Sequence, residues 1–586
     1  MSCVYLLTFV VPFVQTFFCV QFCSVIIIMC KFVIVYLYLY SFVVLGIELG
    51  PVLEILDGQI QGRVEKNSNG KTFHAFEGVP FAVPPIGEER FTISRKLDTC
   101  WSGVLKADDN SHKCVQSILL KDYSDFPGNP SFHIIGSEDC LYLNIYSPAN
   151  LGQDENNELP VLVWIHEGAF QYKSKQLYKP NFFMDFDIVV VTINYRLGPL
   201  GFLSTHDGVI PSNLGLKDQR QAIRWVSQNI KYFGGDPTKV TVAGQSAGSI
   251  GISYLLLDEK CQGLFRGAIL ESGSALCPHD FQSDPKTQAY RLGRLINPDF
   301  KNNSIDLLKT LKQMSINELM EYAYSPYFRL NNKNDVWQIN ILNNVWLPVV
   351  ENSKDEDIVI PMPMHEAFLD GQFIKIPMIA GFTSDEAVGV PEYEESFKYA
   401  READDNPGFL IDPNLNIKNK HEAGEKLKAV YTEDFTTNLN AVVKFFSDYY
   451  YITPILRQAD LIRSHVPVFL YQFSYQHSTK LQTDLPGAEK VGHSSELRYI
   501  FRDDEFSNEQ DRLTHERMMK MWTNFIKFQH PTPDAHDDTL IKWPKTTHNL
   551  EYLNINRTLS ILNHPKRYEA WRQILSEYID KPYWIY

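Results

Sequence analysis

The stretch Gly244-Gln245-Ser246-Ala247-Gly248 sets one serine between two glycines, close behind the apolar run "KVTVAG". A serine hydroxyl becomes a usable nucleophile when the backbone lifts it on a tight strand-to-helix turn. The turn holds the oxygen clear of the sheet, and the helix N-terminus favours developing negative charge. Glycines suit that turn, because side chains beside the serine would collide with the adjoining strand and helix. A chain this long carries the five-residue pattern by accident roughly a few tenths of the time. The alternative is therefore a glycine-rich connection with no chemistry, and the partners have to decide.

A serine hydroxyl needs a base to take its proton and donors to hold the oxyanion. "WIHEGAF" supplies candidate donors: Trp164 and Ile165 close an apolar run, and Gly168 and Ala169 follow. Their backbone N–H groups, with that of Ala247, are expected to point at one oxygen, small residues being required for the backbone to approach the substrate. The competing reading is a plain strand-end turn. For the acid, Asp385 and Glu386 follow the run "IPMIAG", and spacing does not choose between them. For the base there are 16 histidines; His477, just after "FLYQFSY", and His493 both stand in suitable places.

The elements that must position these groups are legible as alternating runs. Leu159 to Ile165, Asp187 to Tyr195, Lys239 to Gly244, Gly267 to Ser272, Ile376 to Gly381 and Val466 to Tyr475 read as strands, nearly all apolar. Such strands are buried on both faces, as in a parallel sheet. Helical patterns lie between them: Leu216 to Phe233, closed by "GGDP", and Ser249 to Leu257 directly after the serine turn. The expected fold is an open α/β sheet, and ligands bind such sheets beyond the C-terminal strand ends. Ser246 falls at such an end.

Composition bounds the function. The 586 residues are 44% hydrophobic and 21% charged, enough for a sizeable core. The formal net charge of -15 argues against nucleic acid and anionic membrane surfaces as partners. No basic run, linker or repeat interrupts the chain. Residues 1–47 differ: Lys31 is their one charge. Val4 to Met29 is long enough to span a membrane. The preferred reading begins at Met29, with a basic start at Lys31, an apolar core from Phe32 to Leu45 and a small residue at Gly46. This is a secretory signal, preceded by an overextended start. Either way the rest enters the secretory route. Five cysteines lie beyond the leader (Cys100, Cys114, Cys140, Cys261 and Cys277), so at least one is left unpaired or bonded to another chain. A bridge between Cys261 and Cys277 is disfavoured by the extended run between them. Asn302 and Asn556 head Asn-x-Ser/Thr triplets usable for glycosylation in a secreted protein. The C-terminus has no apolar tail of the kind a lipid anchor needs.

An ordered series of segments resembles the type-B carboxylesterase and cholinesterase family of α/β-hydrolases, most closely the secreted insect carboxylesterases. It runs from about Pro51 to near the C-terminus through "FEGVPFAVPPIGEERF" (76–91), "SEDCLYLNIYSP" (137–148), "NYRLGPLGFL" (194–203), "FGGDPTKVTVAGQSAGS" (233–249) and "MWTNFIKF" (521–528). The resemblance implies one α/β-hydrolase domain over residues 48–586, a large, mostly parallel central sheet flanked by helices, and an active site in a gorge. Its pattern assigns the acid in "GFTSDEAVG" to Glu386 and the base in "GHSSELRYIF" to His493. The order Ser…Glu…His is the one expected for this fold. It also implies a disulfide between Cys114 and Cys140 at the gorge rim, with Arg90 and Glu138 paired beside it.

The implied chemistry is ester hydrolysis through an acyl-enzyme on Ser246. His493 moves the proton, Glu386 orients the imidazole, and Gly168, Ala169 and Ala247 hold the oxyanion. No cofactor is required. A metal is not expected either, since "HSSEL" lacks the second histidine of a zinc motif. The expected partner is a small-molecule ester. A membrane enters only if the N-terminal segment is retained as an anchor, and oligomeric state is left open.

Departures from the family narrow the substrate. The loop from Cys114 to Cys140 has Tyr123, Phe126, Phe132 and His133 but no tryptophan, the best side chain for binding a choline cation. Gln245 replaces the acidic residue that cholinesterases have before the serine. Both point to neutral esters; the resemblance implies hormone, odorant, pheromone or xenobiotic esters. "GQSAG" is similar to the juvenile hormone esterase pattern without being confined to it. Glu167 stands where the family often has glycine, outside the expected donors, and His279 stands where cholinesterases have an acyl-pocket tryptophan. A rival class is the adhesion proteins that keep this fold without the chemistry; they usually lack a triad residue, and none is missing here.

Overall fold

The structure is a computed structural model that describes residues 48–119, 132–152, 158–325, 345–388, 394–412, 415–477, 491–501, 506, 508–533 and 537–580. The leader and the loop residues Tyr123 and Phe126 lie outside the described residues. Thirteen strands form one sheet. Its order is β1 (Glu48–Ile55), β2 (Gly58–Lys66), β3 (Thr72–Pro80), β7 (Tyr142–Ser147), β9 (Val189–Ile193), β8 (Leu159–Ile165), β10 (Gly235–Gln245), β11 (Gly267–Glu271), β12 (Met378–Thr383), β13 (Val468–Phe473), β14 (Tyr552–Ile555) and β15 (Leu559–Leu562), with β4 (Val104–Lys106) added to β2. From β9 to β14 every pairing is parallel. The flanks are antiparallel, apart from β4, which runs parallel to β2. A separate hairpin joins β5 (Gln116–Leu119) to β6 (Phe132–Ile135).

The near-continuous apolar runs are the six central strands β8 to β13, each within two residues of its expected start except β10. The flanking strands lack such runs: β1 and β2 mix apolar with polar residues along a half-exposed edge, while β3 and β7 are largely buried but carry polar residues. The ladder of β10 picks up at Val240 after a shift from Gly235, so the expected start at Lys239 matches the regular part. Burial on both faces explains the composition. In β8, Val161, Val163 and Ile165 enter one core, while Leu162 and Trp164 enter the other. Helix α1 (Leu214–Asn229) and helix α2 (Ala247–Leu255) cover the first face through Leu216, Ile223, Val226, Ile250 and Tyr254. Helix α4 (Glu509–Phe528) covers the second through Met518, Trp522 and Phe525. Helix α3 (Thr453–Ile462) follows a single π-helical turn, 448–452. Such turns often sit at functional sites, and this one packs against the site described next.

At the rim, Cys114 and Cys140 form the expected disulfide. Arg90 grips Glu138 with two hydrogen bonds of 2.6 Å and donates two more, each 2.8 Å, to the Leu311 and Met314 carbonyls. Cys100 is exposed, and Cys261 and Cys277 are buried; all three are unbridged. Burial pushes the Cys261 and Cys277 thiols well above their ordinary range, keeping them protonated. Asn302 is exposed and accepts a hydrogen bond from Arg294. Asn556 lies in the β14–β15 turn.

Candidate active site

Ser246 stands between the last residue of β10 and the first of α2, with φ 53° and ψ −126°. That conformation costs of order 1–3 kcal/mol in a residue with a side chain. The turn is held from both sides: the Ser246 N–H donates to the Glu271 carbonyl at 2.8 Å, and the Ser246 carbonyl accepts from Ile250. The flanking glycines are there for space. A Cβ on Gly244 would lie 2.8 Å from the Ile165 carbonyl oxygen and 2.7 Å from Gly248; one on Gly248 would lie 2.1 Å from that same oxygen. The end of β8 therefore runs directly against the start of α2, which brings the segment after Ile165 to the serine turn.

That segment carries the expected oxyanion donors. Gly168 and Ala169 both adopt positive φ, 112° and 52°. A Cβ on Gly168 would strike the Tyr172 carbonyl at 2.0 Å. The Gly168 carbonyl closes the turn by accepting from Gln171 at 2.7 Å and Tyr172 at 3.1 Å. Glu167 is drawn aside by the Tyr178 hydroxyl and by Lys173, 3.3 Å away.

Glu386 follows β12 and is fully buried in its side chain. Its Oε2 lies 2.6 Å from Nδ1 of His493. Its Oε1 accepts from the Ser272 hydroxyl at 2.6 Å and from the Thr383 N–H at 2.7 Å. The backbone N–H of His493 also donates to the Glu386 carbonyl at 3.2 Å. Asp385, the neighbour that spacing alone left open, is instead ion-paired with Lys444. His477, the rival base, lies 3.2 Å from Asp511 of α4, a carboxylate that also accepts from the Tyr475 hydroxyl.

On its other edge, His493 Nε2 lies 3.3 Å from the Gln245 side-chain nitrogen. Among the described residues no hydrogen bond joins the Ser246 hydroxyl to His493. Bonds of this kind are often long before substrate binds. The Tyr451 ring covers the imidazole with centroids 4.6 Å apart, and His279 meets Tyr451 edge-on at 4.8 Å. His279 thus lies one ring from the candidate base, and its Nε2 is 3.2 Å from Asp280. Burial holds the His279 imidazole down at about 3 and pushes the Asp280 carboxyl up to about 7.

Sequence reasoning missed several of these groups. Ser272 is the strongest omission: it has φ 50° and supports Glu386, but a serine in "LESGS" carries no signal of either. Beneath it lie two buried carboxyls. Burial pushes Glu271 up to about 8 despite a 2.6 Å hydrogen bond from Trp522. Burial also pushes Glu496 well up, with Glu271 and Glu386 nearby; its Oε1 lies 3.5 Å from the Ser272 hydroxyl. Among the described residues there is no cluster of three or more His, Cys, Asp or Glu side chains placed to hold a metal. No helix among them is long and apolar enough to cross a membrane.

The model of the Carboxylesterase family matches residues 50–571. Over 555 residues the chain is 31% identical to the acylcarnitine hydrolase of Mus musculus, covering 91% of this chain and 93% of that one. It is 30% identical over 557 residues to the juvenile hormone esterase of Heliothis virescens, covering 90% and 94%. The crystal structure of juvenile hormone esterase from Manduca sexta with OTFP covalently attached superposes with a TM-score of 0.75 at 26% identity, covering 90% of this chain and 99% of that one.

Proposed function

From a chain that belongs to the carboxylesterase family and is a carboxylic ester hydrolase, we propose a secreted serine esterase of neutral esters that works through Ser246, His493 and Glu386. The observation that carries this reading is the 2.6 Å contact of Glu386 with His493 Nδ1, beside a strained turn that presents Ser246.

Nδ1–H of His493 is committed to Glu386, which leaves Nε2 as the base. Nε2 takes the Ser246 proton as the hydroxyl oxygen attacks the ester carbonyl. The N–H groups of Gly168, Ala169 and Ala247 receive the oxyanion, each such donor being worth about 3 kcal/mol in the transition state. The imidazolium returns its proton to the departing alcohol, and an acyl-enzyme remains on Ser246. Water then repeats the sequence and releases the acid. Glu386 is prevented from wandering by Ser272 and Thr383, so the imidazole keeps one orientation throughout.

The neutral side chain of Gln245 at the base supports the preference for uncharged esters. Juvenile hormone ester is the more specific second reading, favoured by likeness to two proteins named for that activity. Entry into the secretory route, with cleavage of residues 1–47 ahead of one domain, and glycans on Asn302 and Asn556 complete the proposal. A burst assay with a p-nitrophenyl ester tests it: the parent gives a stoichiometric acyl-enzyme burst and Ser246→Ala gives none. A burst that survives Ser246→Ala overturns the assignment, and a parent with neither burst nor turnover returns the adhesion-type alternative.

A further inference from the structure

With Nδ1–H donated to Glu386, a neutral His493 has one lone pair, on Nε2. That lone pair faces the carboxamide nitrogen of Gln245 at 3.3 Å. Gln245 is fully buried as the last residue of β10 and cannot swing into solvent. Its other polar atom, Oε1, is buried and has no hydrogen-bond partner among the described residues. An orphaned buried acceptor costs about 1–3 kcal/mol, so this carboxamide is poised with one end engaged on the imidazole and the other unmatched.

We propose that Gln245 is a positioning residue that reads the protonation state of His493, donating from Nε2 to the neutral imidazole in the resting site and, after a half-turn of the carboxamide, offering Oε1 to the imidazolium. The proposal rests on the reading of Ser246 and His493 given above. In the resting site the N–H of Gln245 occupies the lone pair that must receive the serine proton. Once Nε2 carries that proton it can no longer accept, and two N–H groups face each other. Rotation of the carboxamide by half a turn relieves this and pairs the orphaned Oε1. A carboxylate at this position can do only the second: it accepts from the imidazolium and favours that form at all times. Glutamine alone among side chains of this length offers a donor at one end and an acceptor at the other.

Other groups face His493 and stay constant in the test. Glu386 holds Nδ1 from the turn after β12. Tyr451 covers the ring from the 448–452 turn, with His279 and Asp280 behind it. Glu271 pairs with Gln245 across the β10–β11 ladder, and Glu496 reaches Ser272 from the segment that carries His493.

The experiment is kcat/KM against pH for a p-nitrophenyl ester on the mature enzyme. Values are taken per active site counted by the burst, so that poorly folded material is not counted. Gln245→Met removes both bonds at similar volume; the bond to the imidazolium, a charged group, is the stronger, so the acid limb moves to lower pH by about 0.5–1. Gln245→Glu, which favours the imidazolium at all times, moves the limb to higher pH and serves where the methionine variant does not fold. An acid limb that stays with the parent's or moves to higher pH in Gln245→Met, or that stays or moves to lower pH in Gln245→Glu, overturns the proposal, whatever happens to the overall rate. A burst that persists in Ser246→Ala marks failure of the Ser246 reading and removes this proposal with it. Full dependence on Ser246 with an unmoved limb marks failure of this proposal alone.

Discussion

Glu386 gives one carboxylate oxygen to His493 and the other to Ser272, at 2.6 Å each, so the group that orients the imidazole is itself fixed from behind. Asp385, one residue earlier, is turned to Lys444. The two carboxylates are adjacent in sequence and divide orientation from ion pairing.

This division predicts opposite outcomes for conservative substitutions. Glu386→Gln keeps the volume but loses the charge and turns one of the two accepting oxygens into a donor; kcat falls by about 10³–10⁴-fold. Asp385→Asn leaves kcat within a few-fold and lowers thermal stability, because Lys444 loses its partner at a buried carboxylate. Steady-state kinetics and thermal unfolding on both variants check this, and equal kinetic losses would contradict it.

Ser272→Ala removes one of the two donors on Glu386 Oε1. A hydrogen bond to a charged group is worth about 1.5–3 kcal/mol, and part of it is realised in keeping Glu386 aligned. Expected is a drop of about 10-fold in kcat with KM little changed. A change confined to KM would show that Ser272 acts on substrate binding.

The buried carboxyl of Glu271 gives a signed pH prediction. Burial raises it from the ordinary 4.5 to about 8. The folded chain therefore keeps a proton that the unfolded chain releases, and the associated stability is fully present below pH 4.5 and is lost as pH rises toward 8. Glu271→Gln cannot release a proton, so its melting temperature gains on the parent's across that window. Calorimetry at a series of pH values from 5 to 9 measures the difference; parallel curves would contradict the burial argument.

Much of this was readable before any coordinates. The six central strands announced themselves because burial on both faces leaves little room for polar residues. The serine turn was legible through Gly244 and Gly248, whose absent side chains are explained by Ile165 pressing on the turn. Glu386 and His493 are not separable from Asp385 and His477 by spacing; resemblance chooses them, and in space Glu386 lies 2.6 Å from His493 while Lys444 and Asp511 stand against the rivals. Ser272, Tyr451 and the buried pair of Glu271 and Glu496 stayed hidden. Their roles come from distant segments meeting in space, and nothing local in "LESGS" or "DYYYI" records that.

Gly248→Ala tests the packing directly. The added Cβ would fall 2.1 Å from the Ile165 carbonyl oxygen, a backbone atom that cannot turn away. Either β8 or α2 has to shift, and both carry parts of the proposed site. Expected is loss of soluble folded protein or of all esterase activity; a variant with parent-like kcat and melting temperature would contradict the described contact.

Everything proposed for this site depends on Ser246 being the nucleophile. Labelling of the mature protein with a fluorophosphonate, followed by intact mass and peptide mapping, tests this at the atom. Expected is one phosphonyl group per chain, on Ser246, with labelling blocked by prior Glu386→Gln or His493→Ala substitution. A label on another serine, or esterase activity that persists while Ser246 is fully modified, would contradict it.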